Sequence, residues 1–454
     1  MSIQSVNPTT GDVLETFTPT SSDALERMVT RAHAAFLEWR EVPFPERASR
    51  MRMAANLLRK NLADHALNMT QEMGKPITQS EAEVEKCAWV CEFYAEHAEA
   101  FLADQPRETD ASTSYVRFDP LGVVLAVMPW NFPYWQVFRF AAPALMAGNA
   151  GILKHASNVP RCALAIERIF QEAGVPEGLF ATALIESPAV AGLVKNPRIV
   201  AATLTGSEPA GRAVAAQAGA EIKKTVLELG GSDPFVVLTD ADLAAAAKAA
   251  ADARLINSGQ SCIAAKRFIV VDAVAERFLD LLAAQLSSRR MGDPMDRGTH
   301  VGPQARVELR DSLHHQVEES VKHGARLLLG GEVPAGRGAF YPPTLLAGVD
   351  KGMPAFDEET FGPVAAVVRA KDEGDAVRLA NDSVFGLGAS LWTQDRVRAK
   401  RLAAQIEAGA VFVNGIVKSD PRLPFGGIKR SGYGRELSEY GIREFVNIKS
   451  VWIG

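Results

Sequence analysis

Two side chains in this sequence are of types that could carry acyl chemistry together. Cys262 closes the stretch Asn257-Ser-Gly-Gln-Ser-Cys262 after an alanine-rich helical pattern, and Glu228 lies beside a glycine pair in Leu227-Glu-Leu-Gly-Gly231. A thiolate attacks a carbonyl carbon well, and a carboxylate can take a proton from the water that hydrolyses the resulting thioester. The two residues therefore predict a two-stage acyl chemistry, with Cys262 as nucleophile and Glu228 as base.

Further polar residues follow strand-like segments. Asn131, in Pro129-Trp-Asn-Phe-Pro133, could donate its amide N–H to a developing oxyanion. Lys154 ends the next strand and could reach a ribose or a phosphate, while Leu204-Thr-Gly-Ser207 opens a helix whose free N–H groups could hold a pyrophosphate. Each of these features taken singly is also compatible with an ordinary turn or a solvated lysine.

The elements that must position these residues form two alternating series. After a helical section from Ser21 to His97, short apolar strands alternate with helices from Leu121 onward. A second alternating series follows Gly230, with Asp240 expected to cap its first helix. Such alternation predicts an α/β fold with two doubly wound parallel sheets, which bind ligands at the carboxyl ends of their strands.

The composition excludes several classes of protein. Of the 454 residues, 47% are hydrophobic and 23% are charged, as in ordinary globular proteins. The net charge of −5 provides no general attraction for nucleic acid or an anionic membrane. We find neither a secretory leader pattern nor an apolar run of about 20 residues, so we expect a cytoplasmic protein without a membrane segment.

The cysteines indicate neither a disulfide scaffold nor a metal site. Cys87, Cys91, Cys162 and Cys262 include no closely spaced pair of the kind that binds zinc. Cys87 and Cys91 are four residues apart in a helical pattern, which favours a buried helix face. No metal is expected.

Seven segments in this order resemble the NAD(P)-dependent aldehyde dehydrogenase superfamily over essentially the whole chain. They are Pro129-Trp-Asn-Phe-Pro133, Lys154, Leu204-Thr-Gly-Ser207, Glu228-Leu-Gly-Gly231, Gly259-Gln-Ser-Cys262, Glu359-Thr-Phe-Gly-Pro363 and Pro424-Phe-Gly-Gly427. The resemblance implies an aldehyde dehydrogenase-like fold, with two doubly wound domains and a small β flap for oligomerisation. It also implies oxidation of an aldehyde to a carboxylic acid through a thiohemiacetal and a thioacyl group on Cys262.

The same resemblance assigns roles to individual residues. Cys262 is the nucleophile, Glu228 the general base, and Asn131 forms the oxyanion hole together with the Cys262 backbone N–H. The cofactor, NAD or NADP, is expected to contact Trp130, Lys154, Ser157, Gly206, Ser207, Gly230, Glu359 and Phe361. We expect a dinucleotide-binding domain from 1–106 and 120–229, a catalytic domain from 230–432, and an oligomerisation flap and tail from 107–119 and 433–454. A homodimer or homotetramer would follow.

Further segments look like the shorter, NAD(P)-using succinate-semialdehyde dehydrogenases of bacteria, so succinate semialdehyde is the expected substrate. Arg139 falls on the helix after Asn131, where a guanidinium could bind the distal carboxylate of the substrate. Other candidates for this contact are Lys418, Ser419 and Arg422. Some related enzymes have an arginine where this chain has Ile256, so glutarate semialdehyde or a broad range of aldehydes are alternatives.

Two positions bear on the cofactor. Many NAD-selective relatives carry a glutamate three residues after the ribose lysine, but this chain has Ser157, so NADP should be tolerated. His155 replaces the proline that usually follows that lysine, which leaves the geometry of this loop open. Alternatives of another class are a cysteine-dependent thioester or ester hydrolase and a non-catalytic binding protein on the same scaffold.

Overall fold

The computed structural model describes residues 2–454 and contains the alternating helices and strands expected from the sequence. The helices are α1 (Ser22–Trp39), α2 (Phe44–Lys60), α3 (Leu62–Met73), α4 (Ile77–Phe101), α5 (Trp135–Met146), α6 (Pro160–Glu172), α7 (Val190–Lys195), α8 (Glu208–Ala220), α9 (Leu243–Leu255), α10 (Asp272–Ser287), α11 (Val307–Lys322), α12 (Pro354–Asp357), α13 (Glu373–Asn381), α14 (Arg396–Ala403) and α15 (Ser438–Ile442).

The strands form two large sheets and three small ones. They are β1 (Ile3–Val6), β2 (Val13–Phe17), β3 (Gln105–Pro106), β4 (Thr113–Pro120), β5 (Val123–Met128), β6 (Ala150–His155), β7 (Phe180–Thr182), β8 (Ile199–Thr205), β9 (Lys224–Glu228), β10 (Asp233–Val237), β11 (Ala265–Val271), β12 (Arg326–Leu329), β13 (Thr344–Ala347), β14 (Val364–Ala370), β15 (Phe385–Gly386), β16 (Gly388–Trp392), β17 (Ala410–Val413), β18 (Ile428–Lys429), β19 (Gly432–Tyr433) and β20 (Val446–Ile453).

The first large sheet has the strand order β19-β9-β8-β5-β6-β7. The five strands β9, β8, β5, β6 and β7 are parallel to one another. Only β19 is antiparallel to its neighbour, β9. The central strand β5 reads Val-Val-Leu-Ala-Val-Met and is almost entirely buried, as expected for a strand covered by helices on both faces. The chain leaves β5 toward β6 and β7 and then returns to β8 and β9, so a ligand crevice is expected beside β5.

The second large sheet has the order β12-β13-β14-β11-β10-β16-β17. All its strands are parallel except β12, which pairs antiparallel with β13. Two separate apolar clusters, one on each side of this sheet, bury alternate residues of its strands. Both predicted doubly wound sheets are therefore present. The predicted domain boundaries stay a proposal. The strand β19 spans the predicted boundary between the catalytic domain and the tail, yet it pairs with β9 in the sheet of the dinucleotide-binding domain.

A third sheet of three strands, in the order β20-β4-β3, stands apart from the two large ones. The pairing of β20 with β4 extends over eight residues of each strand. One edge of this sheet is β20 itself, where Ile448, Trp452 and Ile453 are exposed.

One detail of the second alternating series differs from the expectation. The residue that caps α9 is Asp242, whose carboxylate accepts the backbone N–H groups of Ala244 and Ala245. The prediction of Asp240 as the cap was wrong, because its carboxylate is used elsewhere and accepts the Thr393 hydroxyl and the N–H of Gln394.

Residues 2–454 lack two kinds of feature. No helix in that range is both long enough and apolar enough to cross a bilayer. Nor does that range contain three or more His, Cys, Asp or Glu side chains grouped as a metal site.

Candidate active site

Cys262 lies on a short loop between α9 and β11 whose backbone passes through the left-handed region. Asn257, Ser258 and Gly259 have φ angles of 52°, 54° and 79°, and such angles are unfavourable for residues other than glycine. No side chain would fit at Gly259, because its Cβ would lie 2.2 Å from the carbonyl carbon of Gly362. The loop therefore packs tightly against another of the sequence motifs.

Two side chains that sequence reasoning missed hold this loop. Lys266 on β11 is fully buried, and its Nζ donates to the carbonyl oxygen of Cys262 at 2.8 Å. The Asn257 amide Nδ2 donates to the carbonyl oxygens of Gln260, at 3.0 Å, and Asn131, at 2.6 Å. A lysine inside an apolar strand pattern was a usable signal for Lys266, whereas nothing in the spacing marked Asn257.

The Cys262 side chain is partly exposed and lines a cavity of about 600 Å³, while the other three cysteines are buried. Burial raises the pKa of its thiol to about 12, although the positive charges of Arg139 and Lys266 oppose this shift. The thiol therefore keeps its proton at neutral pH in this arrangement. Its attack on a carbonyl requires that the proton be removed before or during the attack.

Asn131 lies on the loop that follows β5, next to the nucleophile loop. Its amide Nδ2 donates to the carbonyl oxygen of Gln260 at 3.1 Å, and its Oδ1 accepts from Gln136 Nε2 at 3.1 Å. These two hydrogen bonds fix the orientation of a buried amide. One of its two amide hydrogens is used by Gln260, so the other is available to a substrate oxygen.

Glu228 is the last residue of β9, and its carboxylate is buried. Neither carboxylate oxygen has a hydrogen-bond partner within residues 2–454. Burial raises the pKa of Glu228 well above its usual value, the negative Glu436 adds to the rise, and Arg139 opposes it. A raised pKa suits a general base that must work near neutral pH.

Glu228 does not line the cavity that Cys262 lines, and it makes no hydrogen bond to the thiol. Its carboxylate lies beside Gly426, where an added Cβ would approach Oε1 to 2.7 Å. Arg139 influences the pKa of both Cys262 and Glu228, so its guanidinium lies near both. The two predicted catalytic side chains therefore share Arg139 as a neighbour.

Arg139 lines the Cys262 cavity, as a substrate contact would, but its charge is already compensated. Its guanidinium forms a buried ion pair with Glu436 and lies 4.5 Å from the centre of the Phe425 ring. The helix α5 places it there, one residue before Phe140, which is also buried. A role for Arg139 in binding a carboxylate stays a prediction.

The other predicted substrate contacts divide into two groups. Lys418 and Ser419 line the same cavity as Cys262. Arg422 does not line it, because its guanidinium forms a bidentate pair with Asp420 and lies 5.6 Å from the Trp89 ring. The role of Arg422 as a substrate contact stays a prediction, which would require its guanidinium to leave Asp420.

The predicted cofactor residues lie along the carboxyl edge of the first sheet and across from it. The rings of Trp130, after β5, and Phe361 meet edge to face at 5.8 Å. Glu359 accepts the N–H of Gly231 at 3.0 Å, and an added Cβ at Gly230 would lie 2.4 Å from its Oε2. These contacts bring the two glycines after β9 against the Glu359 motif, as a shared cofactor site requires.

Gly206 and Ser207 follow β8 at the beginning of α8. Ser207 is the residue before the first turn of this helix, and its side chain makes no capping hydrogen bond. The positive end of the helix and its free N–H groups thus face the same edge of the sheet, in the position where a phosphate would bind.

Lys154, near the end of β6, and Ser157, just after this strand, line a second cavity of about 690 Å³. The loop between them is fixed by His155, whose Nε2 lies 2.8 Å from the carbonyl oxygen of Pro133 and whose Nδ1 accepts the N–H of Ala156. Burial lowers the pKa of His155 to about 4, so the ring is neutral at physiological pH. The histidine therefore joins the ends of β5 and β6 without adding a charge.

Comparisons with known proteins agree with this arrangement. The sequence matches the aldehyde dehydrogenase family over residues 1–451. It is 53% identical over 453 residues to a probable succinate-semialdehyde dehydrogenase [NADP(+)] of Synechocystis sp., and 51% identical over 456 residues to succinate-semialdehyde dehydrogenase [NADP(+)] 1 of Mycobacterium tuberculosis. Both alignments cover 100% of each chain.

The fold is also that of solved relatives. The crystal structure of succinic semialdehyde dehydrogenase from Streptococcus pyogenes, in complex with NADP+, superimposes with a TM-score of 0.97 at 40% identity and covers 99% of each chain. The expected fold and the resemblance drawn from the motifs are thereby confirmed. The chain belongs to the aldehyde dehydrogenase family.

Proposed function

We propose that this aldehyde dehydrogenase oxidises succinate semialdehyde to succinate and that it uses NADP+ in preference to NAD+. The proposal rests chiefly on the cavity that Cys262 lines, which has an apolar part and several cationic side chains, among them Lys86, Arg139 and Lys418. A cavity lined by apolar and cationic side chains suits a short aldehyde that has a carboxylate at its far end. The names of the relatives point to the same substrate and cofactor.

Cys262, once its thiol proton has passed to solvent, would attack the aldehyde carbon, and the oxyanion of the resulting thiohemiacetal would accept hydrogen bonds from Asn131 Nδ2 and the Cys262 N–H. A nicotinamide cofactor, when bound, would supply hydride acceptance, and Cys262 would then hold a thioacyl group. Lys266 and Asn257 keep the nucleophile loop and the Asn131 loop in a fixed relation during this step. Glu228 would then take a proton from the water that releases the acid.

A panel of aldehydes assayed with each cofactor tests the proposal. Succinate semialdehyde with NADP+ should give the highest kcat/KM, read from the absorbance of the reduced nicotinamide. A larger value for glutarate semialdehyde, or equal values for charged and neutral aldehydes, would assign a different substrate range. Hydrolysis of thioesters or esters without cofactor reduction would assign the hydrolase function instead.

Replacement of Asn131 with alanine should lower kcat by about 10²- to 10³-fold, the usual cost of one oxyanion donor, with little change in KM. Steady-state kinetics with succinate semialdehyde measure this. The matched control is Gln136→Met, which removes the hydrogen bond to Asn131 Oδ1 but keeps the donor. A loss in the control as large as that in Asn131→Ala would mean that orientation alone, and not the donated hydrogen bond, sets the rate.

Replacement of Ser157 with glutamate should reverse the cofactor preference. A carboxylate beside the adenosine ribose repels a 2′-phosphate, so kcat/KM with NADP+ should fall by about 10²-fold or more, while the value with NAD+ changes little. Ser157→Gln has nearly the same size without the charge and should have a much weaker effect. If both variants lose NADP+ activity equally, the size of the side chain and not its charge decides the selection.

We also propose that the chain forms a homodimer or homotetramer through the three-stranded sheet. Its edge strand β20 presents unpaired backbone groups together with the exposed side chains of Ile448, Trp452 and Ile453. An exposed apolar edge of this kind pairs readily with another chain. Sedimentation of the purified protein gives the number of subunits.

A further inference from the structure

The beginning of α4 contacts both parts of the chain that carry the predicted nucleophile and oxyanion donor. Gln79 and Glu83 are four residues apart on this helix, so their side chains lie on the same face. Gln79 reaches the nucleophile loop, where its Oε1 accepts the backbone N–H of Asn257 at 2.7 Å. Glu83 reaches the helix that follows the Asn131 loop. One face of α4 therefore holds the two loops side by side.

Glu83 holds the beginning of α5 through one oxygen of its buried carboxylate. This oxygen, Oε1, accepts the backbone N–H groups of Tyr134 and Trp135, each at 2.9 Å. N–H groups at the start of a helix have no partner within the helix, and a negative charge is favourable there. Asn131 lies three residues before Tyr134, and Gln136, which orients the Asn131 amide, follows Trp135 directly. The carboxylate thus fixes the backbone on both sides of this amide contact.

The second carboxylate oxygen of Glu83 is used by Lys75. This lysine is fully buried just before α4, and its ammonium forms an ion pair with Glu83 Oε2. The same ammonium lies 4.0 Å from the centre of the Phe132 ring and so covers the residue after Asn131. A buried carboxylate is costly unless hydrogen bonds and an opposite charge compensate it, and Glu83 has both. The pair therefore anchors the segment from Phe132 to Trp135.

We propose that Glu83 is a positioning residue for aldehyde oxidation and that it acts through Asn131. Its hydrogen bonds to the start of α5 keep the Asn131 amide where it can donate to the oxyanion that forms at Cys262, while Gln79 ties the same helix to the nucleophile loop. The inference rests on the proposed function, which assigns the oxyanion donor to Asn131 and the nucleophile to Cys262. A displacement of about 1 Å in such a site can lower a rate by about 10²-fold.

The test compares two double variants that differ only in the acceptor at position 83. Both contain Lys75→Met, because replacing a buried ion pair as a whole destabilises a protein much less than removing one partner. Glu83→Met then removes the acceptor oxygens, whereas Glu83→Gln keeps one for the two N–H groups. The rate constant of the first turnover is measured by stopped-flow absorbance at saturating succinate semialdehyde and NADP+. It should be about 10- to 100-fold lower with Glu83→Met than with Glu83→Gln, at similar KM. Equal rate constants would overturn the proposal.

Two further readouts distinguish the positioning of Asn131 from a general loss of structure. Iodoacetamide alkylates the Cys262 thiol by displacement of iodide and forms no oxyanion on a carbonyl group, so its rate constant should agree within about twofold between the two double variants. In the Asn131→Ala background, the two double variants should also differ by less than about twofold in the first turnover, because the group that Glu83 positions is absent. Slower alkylation with Glu83→Met, or losses that add in the Asn131→Ala background, would assign Glu83 a structural role instead.

Glu83→Asp is the second variant, for use if the double variant with Glu83→Met does not fold. It keeps a negative charge beside Lys75 but is shorter by one methylene group, so it cannot hold the ammonium and the two N–H groups together. The first turnover should be slow and the alkylation of Cys262 unchanged, and a wild-type first turnover would refute the role of Glu83. Failure of the proposed function looks different, because Asn131→Ala alone would then leave the first turnover intact.

Discussion

Replacement of Cys262 with alanine should reduce aldehyde oxidation by about 10⁴-fold or more, because no other cysteine of residues 2–454 lines the cavity and the reaction needs a thioacyl intermediate. The measurement is the rate of cofactor reduction with succinate semialdehyde at saturating NADP+. Binding of the cofactor should persist in this variant, since the predicted cofactor contacts lie on the edge of the first sheet and on the Glu359 motif. Retained binding with lost turnover separates the loss of the nucleophile from a loss of structure.

Cys91→Ala is the matched control for this experiment. Cys91 is buried in α4, so its replacement should cost some stability but leave the reaction intact. Iodoacetamide should also modify Cys262 before the other three cysteines, which are all buried. Turnover that survives in Cys262→Ala at more than a small fraction of the wild-type rate would refute the assigned nucleophile.

Replacement of Glu228 with glutamine should separate the two stages of the reaction. The first turnover, which forms the thioacyl group, needs no activated water, so a rapid burst of reduced cofactor should remain. The following steady state should fall by about 10²- to 10⁴-fold, the usual contribution of a general base. Stopped-flow absorbance resolves both phases in one experiment.

The pH dependence of the steady state provides a second criterion for Glu228. A carboxyl group acts as a base only after losing its proton, and burial raises the pKa of Glu228 well above that of an ordinary glutamate. In the wild type the rate should therefore rise with pH in a range above the usual glutamate titration, and Glu228→Gln should lose this rise. Glu177→Gln, an exposed position paired with Arg31, serves as control. If burst and steady state decline together in Glu228→Gln, the residue has no separate role in the second stage.

The sequence predicted the parts of the site that depend on where strands end. The bounds of β5 agree with the predicted strand from Val123 to Met128, and the polar residues after β5, β6, β8 and β9 do lie along one edge of the sheet. This success has a physical reason, since the carboxyl ends of parallel strands necessarily meet at one edge. An apolar run followed by a turn is visible in the sequence alone.

The parts that depend on partners distant in the sequence could not be predicted. The ion pair of Arg139 with Glu436 and the contact of Lys86 with Ser419 both join residues about 300 positions apart, and no local pattern encodes them. The pair of Arg422 with Asp420, by contrast, joins residues only two positions apart, so this partner is visible in the sequence. The cap of α9 also depends on a residue distant in the sequence. The Asp240 carboxylate accepts the hydroxyl of Thr393, and Asp242 caps the helix instead.

The short strand β19 has a consequence for the biosynthesis of the protein. Gly432 and Tyr433 pair with Glu228 and Leu227 at the end of β9, so the sheet built from the first half of the chain receives its last strand from near the carboxyl terminus. Translation proceeds from the amino terminus, and the early segments can collapse while the ribosome is still at work. The strand that carries Glu228 nevertheless lacks its outer neighbour until Gly432 and Tyr433 have emerged, so the edge of the sheet at the predicted base is completed long after the base itself has been made.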